Sequence, residues 1–581
     1  MSTELLIQDS IAVSVTLDER NDPSRSERNR IQKALERICR DRQADVVVLF
    51  GRAHRILRWR PGIPTSRSSF TTNDRGCSAE IFLEVGDEPA QQARIEVTLN
   101  RRDDDPMLSW LTIKLNPTTI LGGNNVHPAA PSDPSGRVVP NPSSALSVVQ
   151  MNLRLGFHLL DELYRQVSNA SDSLYSEHTR EIVRRGRFRV FWVQWAACLP
   201  TRDRALFLQT IAVLYGQTIA RGKGVINLAA YLGLKLAPPP DTDDETDDVK
   251  AVLLRKLHGN RPVFSVGLYD KRRRVSQVKQ GKSLTDPEKE TVDRCVRVDI
   301  TAQSDGVVAI CKAARSRLKT WRKRGLGFVA PSWEDEFLSA EIEPTAWWLE
   351  RAVLLLSLSW ENDRLVRRSF AAWLVPHMLH KVLRLDVIAG FTSRGFHELC
   401  ALDHEVAAAW RRIKDYGGEN WARGLAKAAR CSPATVYNCR NEWLEEFGID
   451  VTLPHAFYRD MLFFAPNSLT EPRVRSAWLH AVRKGDGAAV VRSARHAQAV
   501  FNRLRTSVVG SAIRADLRRM AVKITPESAL SPPPSRLGAR PSPPPALSRG
   551  DRDRRRDRFD DDLARLDAPG RSLFGEFGWE L

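Results

Sequence analysis

Arg94-Ile95-Glu96-Val97-Thr98-Leu99 and Trp110-Leu111-Thr112-Ile113-Lys114-Leu115 decide the fold reading. In both runs an apolar residue recurs at every second position. Successive side chains of a strand point to opposite faces, so this period predicts strands with one buried face. Ser78–Val85 repeats the pattern, and the three runs together predict an antiparallel sheet. Asn116-Pro117 stops the third run. Val46–Phe50 reads as a buried strand ahead of them. Residues 1 to about 25 read as a loose arm, followed by a basic amphipathic helix over Arg28–Arg42.

Working downstream, Val126–Pro142 is rich in Pro, Ser and Gly and reads as a loop. Leu146–Val167 carries Leu153, Leu155, Leu159, Leu160 and Leu163 at helical spacing, which predicts a long amphipathic helix. Phe188–Cys198, Phe264–Tyr269 and Arg294–Ile300 read as further strands, Asp203–Tyr215 as a helix, and the acidic Ala237–Asp248 as a solvated spacer. Helical signals dominate from Ser304 to Ala521. After about Thr525 the Pro-rich and mixed-charge composition predicts disorder. The expected fold class is therefore α+β: an antiparallel-sheet domain over 45–303, a mostly helical domain over 304–523, and a disordered Pro/Arg-rich tail over 524–581, with the arm and basic helix over 1–44.

At 581 residues the chain has room for two to four domains. Its 88 Lys and Arg against 70 Asp and Glu leave a net charge of +18, which suits a polyanionic partner such as nucleic acid. No run of 18 apolar residues occurs, so no membrane partner is expected. The first residues lack a secretory pattern, and the eight cysteines are scattered without a Cys-x-x-Cys, which fits reduced thiols in a cytoplasm. Walker A, Rossmann and Gly-x-Ser-x-Gly patterns are missing from the sequence.

Four constellations carry chemistry. Tyr269 closes a strand and leads into Asp270-Lys271-Arg272-Arg273-Arg274. Cations beside a phenol favour the phenolate and hold a phosphate, so Tyr269 is a candidate nucleophile for a phosphodiester. A tyrosine at a strand end is also commonly a core residue with a wet hydroxyl. Leu121-Gly122-Gly123-Asn124-Asn125 is a turn whose amides can approach a phosphate, or an ordinary loop. Asp299, in Arg297-Val298-Asp299, is a candidate ligand for Mg²⁺ or Mn²⁺; the commoner reading is a surface Asp paired with an Arg. Residues 420–447 read as helix-turn-helix, with Ser432 as N-cap and Pro433 at the first helical position. That helix would present Ser432, Thr435, Tyr437, Asn438 and Arg440 to DNA, unless the element is a plain helical hairpin. His377 and His380 lack a third ligand nearby in sequence and read as helix surface.

The order of these pieces resembles the gene II/X replication initiators of filamentous phages and related plasmid proteins. The likeness rests on Trp110–Val126, the helix that follows, Phe264–Lys271, Cys295–Ile300, and Ser432–Val451 with its Gly448-Ile449-Asp450. The resemblance implies an endonuclease-like domain that nicks one strand of an origin duplex. Tyr269 would attack, Lys271 would contact the phosphate, a 5′-phosphotyrosyl bond would form, and the free 3′-OH would prime rolling-circle synthesis. It implies a divalent metal, contacts from Asn124, Asn125, Arg272, Arg273 and Arg274 to DNA, work with host helicase and polymerase, and a bacterial cytoplasm. Three positions depart from the pattern. Asn124 stands where the family has His, Gln194 where it has an acid, and Asp299 where it has Glu. A metal site would need a ligand from elsewhere, such as His127. Without one, the architecture would serve a catalytically inactive DNA-binding replication or regulatory protein. An RNA-binding scaffold is the third reading, which the charge alone allows.

Overall fold

The computed structural model describes most of residues 7–458. The larger gaps fall at 22–25, 41–45, 58–67, 86–91, 122–142, 237–250, 271–294, 327–331, 385–392 and 414–420, with shorter ones mainly within 201–223. The chain divides into two compact units. One holds Leu5–Trp195 with Ala302–Phe370; the other holds Ala196–Thr301 with the described residues from Ala371 onward.

The first unit is built on a sheet whose strands are β1 (Ile7–Asp18), β2 (Val46–Leu49), β3 (Arg52–Ile56), β4 (Ser69–Asn73), β5 (Gly76–Val85), β6 (Gln92–Arg101), β7 (Leu108–Leu115) and β8 (Arg189–Pro200). Their spatial order is β8-β1-β7-β6-β5-β3-β2, with β4 also on β5. The alternation in the sequence fixes the register. Val13 opposes Ile113, Ile113 opposes Val97, and Val97 opposes Ala79. All four are buried. A slip of one residue would turn this whole row to water, and each large apolar side chain in it is worth roughly 2 kcal/mol buried.

The Ser143–Ser168 helix covers the apolar face with Leu153, Leu155, Leu159, Leu160 and Leu163 buried. It comes so close that a Cβ at Gly156 would lie 2.7 Å from Ile113 Cγ2, so only glycine fits there. The Glu27–Arg40 helix buries Ile31, Leu35 and Ile38. Its Glu27 accepts hydrogen bonds from Ser176 and Thr179, which pins it to the start of the Glu177–Arg184 helix.

The start of the chain differs from expectation. Ile7–Asp18 is a strand inside the sheet, not a loose arm, and Ile11, Val13, Val15 and Leu17 are buried. Its period-two pattern is present in the sequence but follows no turn signal. Val46–Leu49 is a strand as expected, but only half-buried: Val46 and Val48 are exposed.

The expected division at 303/304 does not follow the compact units, because Ala302–Phe370 belongs with the first sheet. Backbone bonds tie it in: Val190 N–H donates to Pro344, Ala346 N–H to Phe188, and Trp347 N–H to Gly186. The Ala346–Leu356 helix places Glu350 against Arg154 of the Ser143–Ser168 helix in a buried ion pair. Within the stretch expected to be helical, Leu358–Glu361 and Arg364–Arg367 form a β-hairpin.

In the second unit β9 (Thr218–Arg221) pairs with β10 (Gly224–Asn227). A separate set runs in the order β11 (Leu234–Leu236), β12 (Ala251–His258), β13 (Arg261–Tyr269), β14 (Cys295–Gln303). Val252, Leu254, Val266, Leu268, Val298 and Ile300 bury one face of it. Helices follow at Phe370–Pro376, Ser393–Ala401, Glu405–Arg412, Trp421–Ala429 and Pro433–Glu446, with a π-turn at His377–Val382. The expected tail lies outside the described residues. Among the described residues, no helix is long and apolar enough to cross a membrane.

Candidate active site and two-helix element

Tyr269 is the last residue of β13, on the face opposite Leu268. Gly267 and Asp299 meet on that same face, where Asp299 Cβ is 3.8 Å from the position a Cβ on Gly267 would take. Two-residue spacing on β14 aligns Arg297 with Asp299. The result is a short chain of polar contacts. Tyr269 donates its hydroxyl hydrogen to Asp299 Oδ2 at 3.0 Å. Arg297 donates from Nε to Asp299 Oδ1 at 3.1 Å. Arg297 is fully buried, Tyr269 is 7% exposed, and the Asp299 side chain is 13% exposed. Beside them Asp270 meets Arg204 across 3.6 Å.

A carboxylate that accepts a phenol O–H is placed to take its proton. Arg297, bonded to the other oxygen, orients that carboxylate. Arg297 was legible only as a neighbour in Arg297-Val298-Asp299. The signal for its role is the i, i+2 spacing on a strand, which puts both side chains on one face. Asp299 was a candidate metal ligand, with pairing to an Arg as the commoner reading; the structure shows it bonded to Arg297 and Tyr269.

A divalent metal does not fit the described residues. Both oxygens of Asp299 are engaged, one of them by a permanent cation. Gln194, at the second position where the resembled family has an acid, donates its amide to Asp9 Oδ2 at 3.4 Å. Asp9 also accepts from Asn116 Nδ2 at 3.1 Å. Among the described residues no group of three His, Cys, Asp or Glu converges. Lys271, Arg272, Arg273, Arg274, Asn124, Asn125 and His127 lie outside the described residues.

The helix-turn-helix segment folds as two helices, Trp421–Ala429 and Pro433–Glu446, behind the Glu405–Arg412 helix. Leu425, Ala426, Ala429, Val436, Cys439 and Trp443 are buried. Arg430 turns the chain in the left-handed region, with φ +53°. Ser432 caps the second helix by accepting the Thr435 N–H at 3.1 Å. Burial pushes the Cys431 and Cys439 thiols up, so both stay protonated at neutral pH.

Ser432, Thr435, Tyr437 and Asn438 all face solvent, as the sequence predicts. Tyr437 is 50% exposed and stands edge-on to Trp421. Arg440 is the exception. It turns inward and forks onto Asp450, Nε to Oδ1 at 3.1 Å and Nη2 to Oδ2 at 2.9 Å. Its assignment to DNA is corrected accordingly: a guanidinium held in both of these bonds is part of the scaffold. Arg384 is ion-paired to the same fully buried Asp450. Basic side chains on the outside are Arg423, Lys427 and Arg430, on the preceding helix and the turn. The far end of the second helix carries exposed Glu442, Glu445 and Glu446, so only its N-terminal half suits a polyanion. His377 stacks on Trp373 at 4.6 Å, consistent with a packing role.

Compared with known proteins, the chain matches no family model, no curated protein and no solved structure.

Proposed function

We propose that this chain nicks and rejoins one strand of DNA through Tyr269, and so starts rolling-circle replication of a phage or plasmid. The observation that carries the reading is the Tyr269–Asp299 hydrogen bond at a strand end. As Tyr269 Oη attacks phosphorus, its proton passes to Asp299 and an Oη–P bond forms. The P–O3′ bond breaks, and the leaving 3′ oxygen takes a proton from water. The phosphotyrosyl ester keeps the bond energy available for rejoining by the reverse attack. In sequence, Lys271-Arg272-Arg273-Arg274 follows the nucleophile directly and supplies cations for the phosphate.

On this reading the 405–446 helices hold the origin duplex. Thr435, Tyr437 and Asn438 face the groove, and Arg423, Lys427 and Arg430 contact phosphates. Such binding weakens steeply with salt. The protein would work in the cytoplasm of a bacterial host, with the host helicase and polymerase continuing from the free 3′-OH.

A second reading keeps the DNA binding and drops the chemistry. It is favoured by the 7% exposure of Tyr269, since the phenol must be uncovered to meet a phosphate. Covalent trapping decides between them. A labelled single-stranded oligonucleotide library is mixed with the full chain, and label surviving SDS is read on a gel. An adduct in the wild type that vanishes in Tyr269→Phe supports the first reading. Intact DNA binding with no adduct supports the second.

A further inference from the structure

We infer that Arg297, rather than a divalent cation, supplies the positive charge behind Tyr269, and that the covalent step proceeds without metal. This rests on the nicking reading above. Two observations carry it. Each oxygen of Asp299 already holds a donor, Tyr269 on one and Arg297 on the other. The guanidinium is permanently charged and fully buried, so a dication placed on Asp299 would sit beside a cation that cannot lose its proton.

The atoms balance without a metal. Asp299 receives the phenol proton as the Oη–P bond forms, and the 3′ oxygen leaves and is protonated by water. Rejoining reverses each transfer. Arg297 touches neither DNA nor the reacting atoms. It is a positioning residue: it holds Asp299 aimed at the phenol oxygen.

The test uses the full chain and the same labelled oligonucleotides, in excess EDTA and in Mn²⁺, with Tyr269→Phe, Arg297→Met and Arg297→Lys alongside. Oligonucleotide affinity is measured for each. Adduct yield in EDTA is expected within about twofold of that in Mn²⁺, and Tyr269→Phe gives none. Arg297→Met is expected to lose at least about tenfold in the rate of adduct formation, within the range for a positioned proton acceptor. Arg297→Lys should recover part of it, with affinity unchanged in both. A purely structural arginine would lower affinity and rate together and would not be rescued by charge. Adduct in Mn²⁺ and none in EDTA would overturn the inference and leave the nicking reading standing. No adduct in either condition would remove both. Should Arg297→Met fail to fold, the EDTA comparison on the wild type still decides. As a separate readout, Mn²⁺ alone is titrated into wild type and Asp299→Asn by electron paramagnetic resonance. Equal binding curves agree with the inference; loss of a bound Mn²⁺ in the variant contradicts it.

Discussion

Asp299 and Asp450 lie in the same compact unit, and both are carboxylates held by arginine, yet their surroundings differ. Asp450 is fully buried and faces Arg384 and Arg440, and it also accepts the Thr452 N–H. Tyr458 accepts its backbone N–H and donates back to its carbonyl, so the Gly448-Ile449-Asp450 turn is fastened on all sides. With two cations on one carboxylate, Asp450 fixes the Pro433–Glu446 helix against the chain that follows it. Asp299 is bonded to Arg297 and to the Tyr269 phenol, and its side chain retains some exposure. A second arginine locks a carboxylate, whereas a phenol O–H gives it a proton to accept.

The largest effect should come from breaking the lock. Asp450→Asn leaves two arginines without their counter-charge in a buried place, and removing one partner of a buried ion pair costs about 3–5 kcal/mol. Loss of the unit's unfolding transition, or hydrogen exchange opening over 405–446 at much lower denaturant, is the expected result. A cost under about 1 kcal/mol would show that Asp450 is no more structural than Asp299. The same substitution at Asp299 also leaves a fully buried arginine, Arg297, without this counter-charge, but the amide still accepts the phenol hydrogen and the Asp299 side chain keeps some exposure, so a smaller cost is expected.

The acid response sharpens the contrast from the other unit. His158, on the Ser143–Ser168 helix, is pushed by burial, with Arg154 and Arg165 adding to it, from the ordinary 6.5 to about 3. The folded chain therefore stays unprotonated there while the unfolded chain takes a proton below 6.5. Its contribution is complete above pH 6.5 and falls at about 1.4 kcal/mol per unit as pH drops towards 3. Denaturant titrations between pH 7 and 5 should show this slope in the wild type and in Asp450→Asn alike. A His158→Gln variant should flatten it. A slope that vanishes with Asp450→Asn instead would move the acid sensitivity to the Asp450 lock.

At the phenol, the effect on stability is expected to be smaller, while on the nicking reading the effect on chemistry is complete. Tyr269→Phe removes one hydrogen bond to a charged acceptor, worth about 1.5–3 kcal/mol at most and less where water reaches the carboxylate. Thermal unfolding should shift by a few degrees while adduct formation disappears. A wild-type adduct that persists in Tyr269→Phe would place the nucleophile elsewhere.

How much of this was open to reading follows from the kind of signal involved. The sheet of the first unit was legible in Ile95, Val97, Leu99 and Leu111, Ile113, Leu115, because alternation is a local pattern and burial follows from it. β1 carries the same alternation at Ile11, Val13, Val15 and Leu17, but its position at the start of the chain argued for a loose arm. Only pairing with β7, over 90 residues away, makes it a strand of the sheet. The Ser432 cap was legible because capping is a three-residue event. Arg440 was misassigned because its partner, Asp450, lies ten residues on and beyond a turn. Helical spacing shows which way a side chain starts, not which buried carboxylate it meets. The Tyr269–Asp299 contact spans 30 residues, most of them outside the described part, and no local pattern encodes it.

The smallest effect on stability is expected at Tyr437, and that is what makes it informative. Tyr437 is 50% exposed, rests edge-on against Trp421 and lies near the N-terminal end of its helix. Tyr437→Ala should change stability by less than about 0.5–1 kcal/mol, the range for an exposed site with one aromatic contact. If that end of the helix enters a groove, duplex affinity should fall by about tenfold, since one good base contact is worth 1–3 kcal/mol. Comparing origin and unrelated duplexes separates the roles. A loss confined to the origin marks a base contact, and an equal loss on both, with a shallower salt dependence, marks a backbone contact. No loss on either would leave the 405–446 helices as scaffold around Asp450, and the difference between a locked carboxylate and a working one would then have to be sought at Asp299 alone.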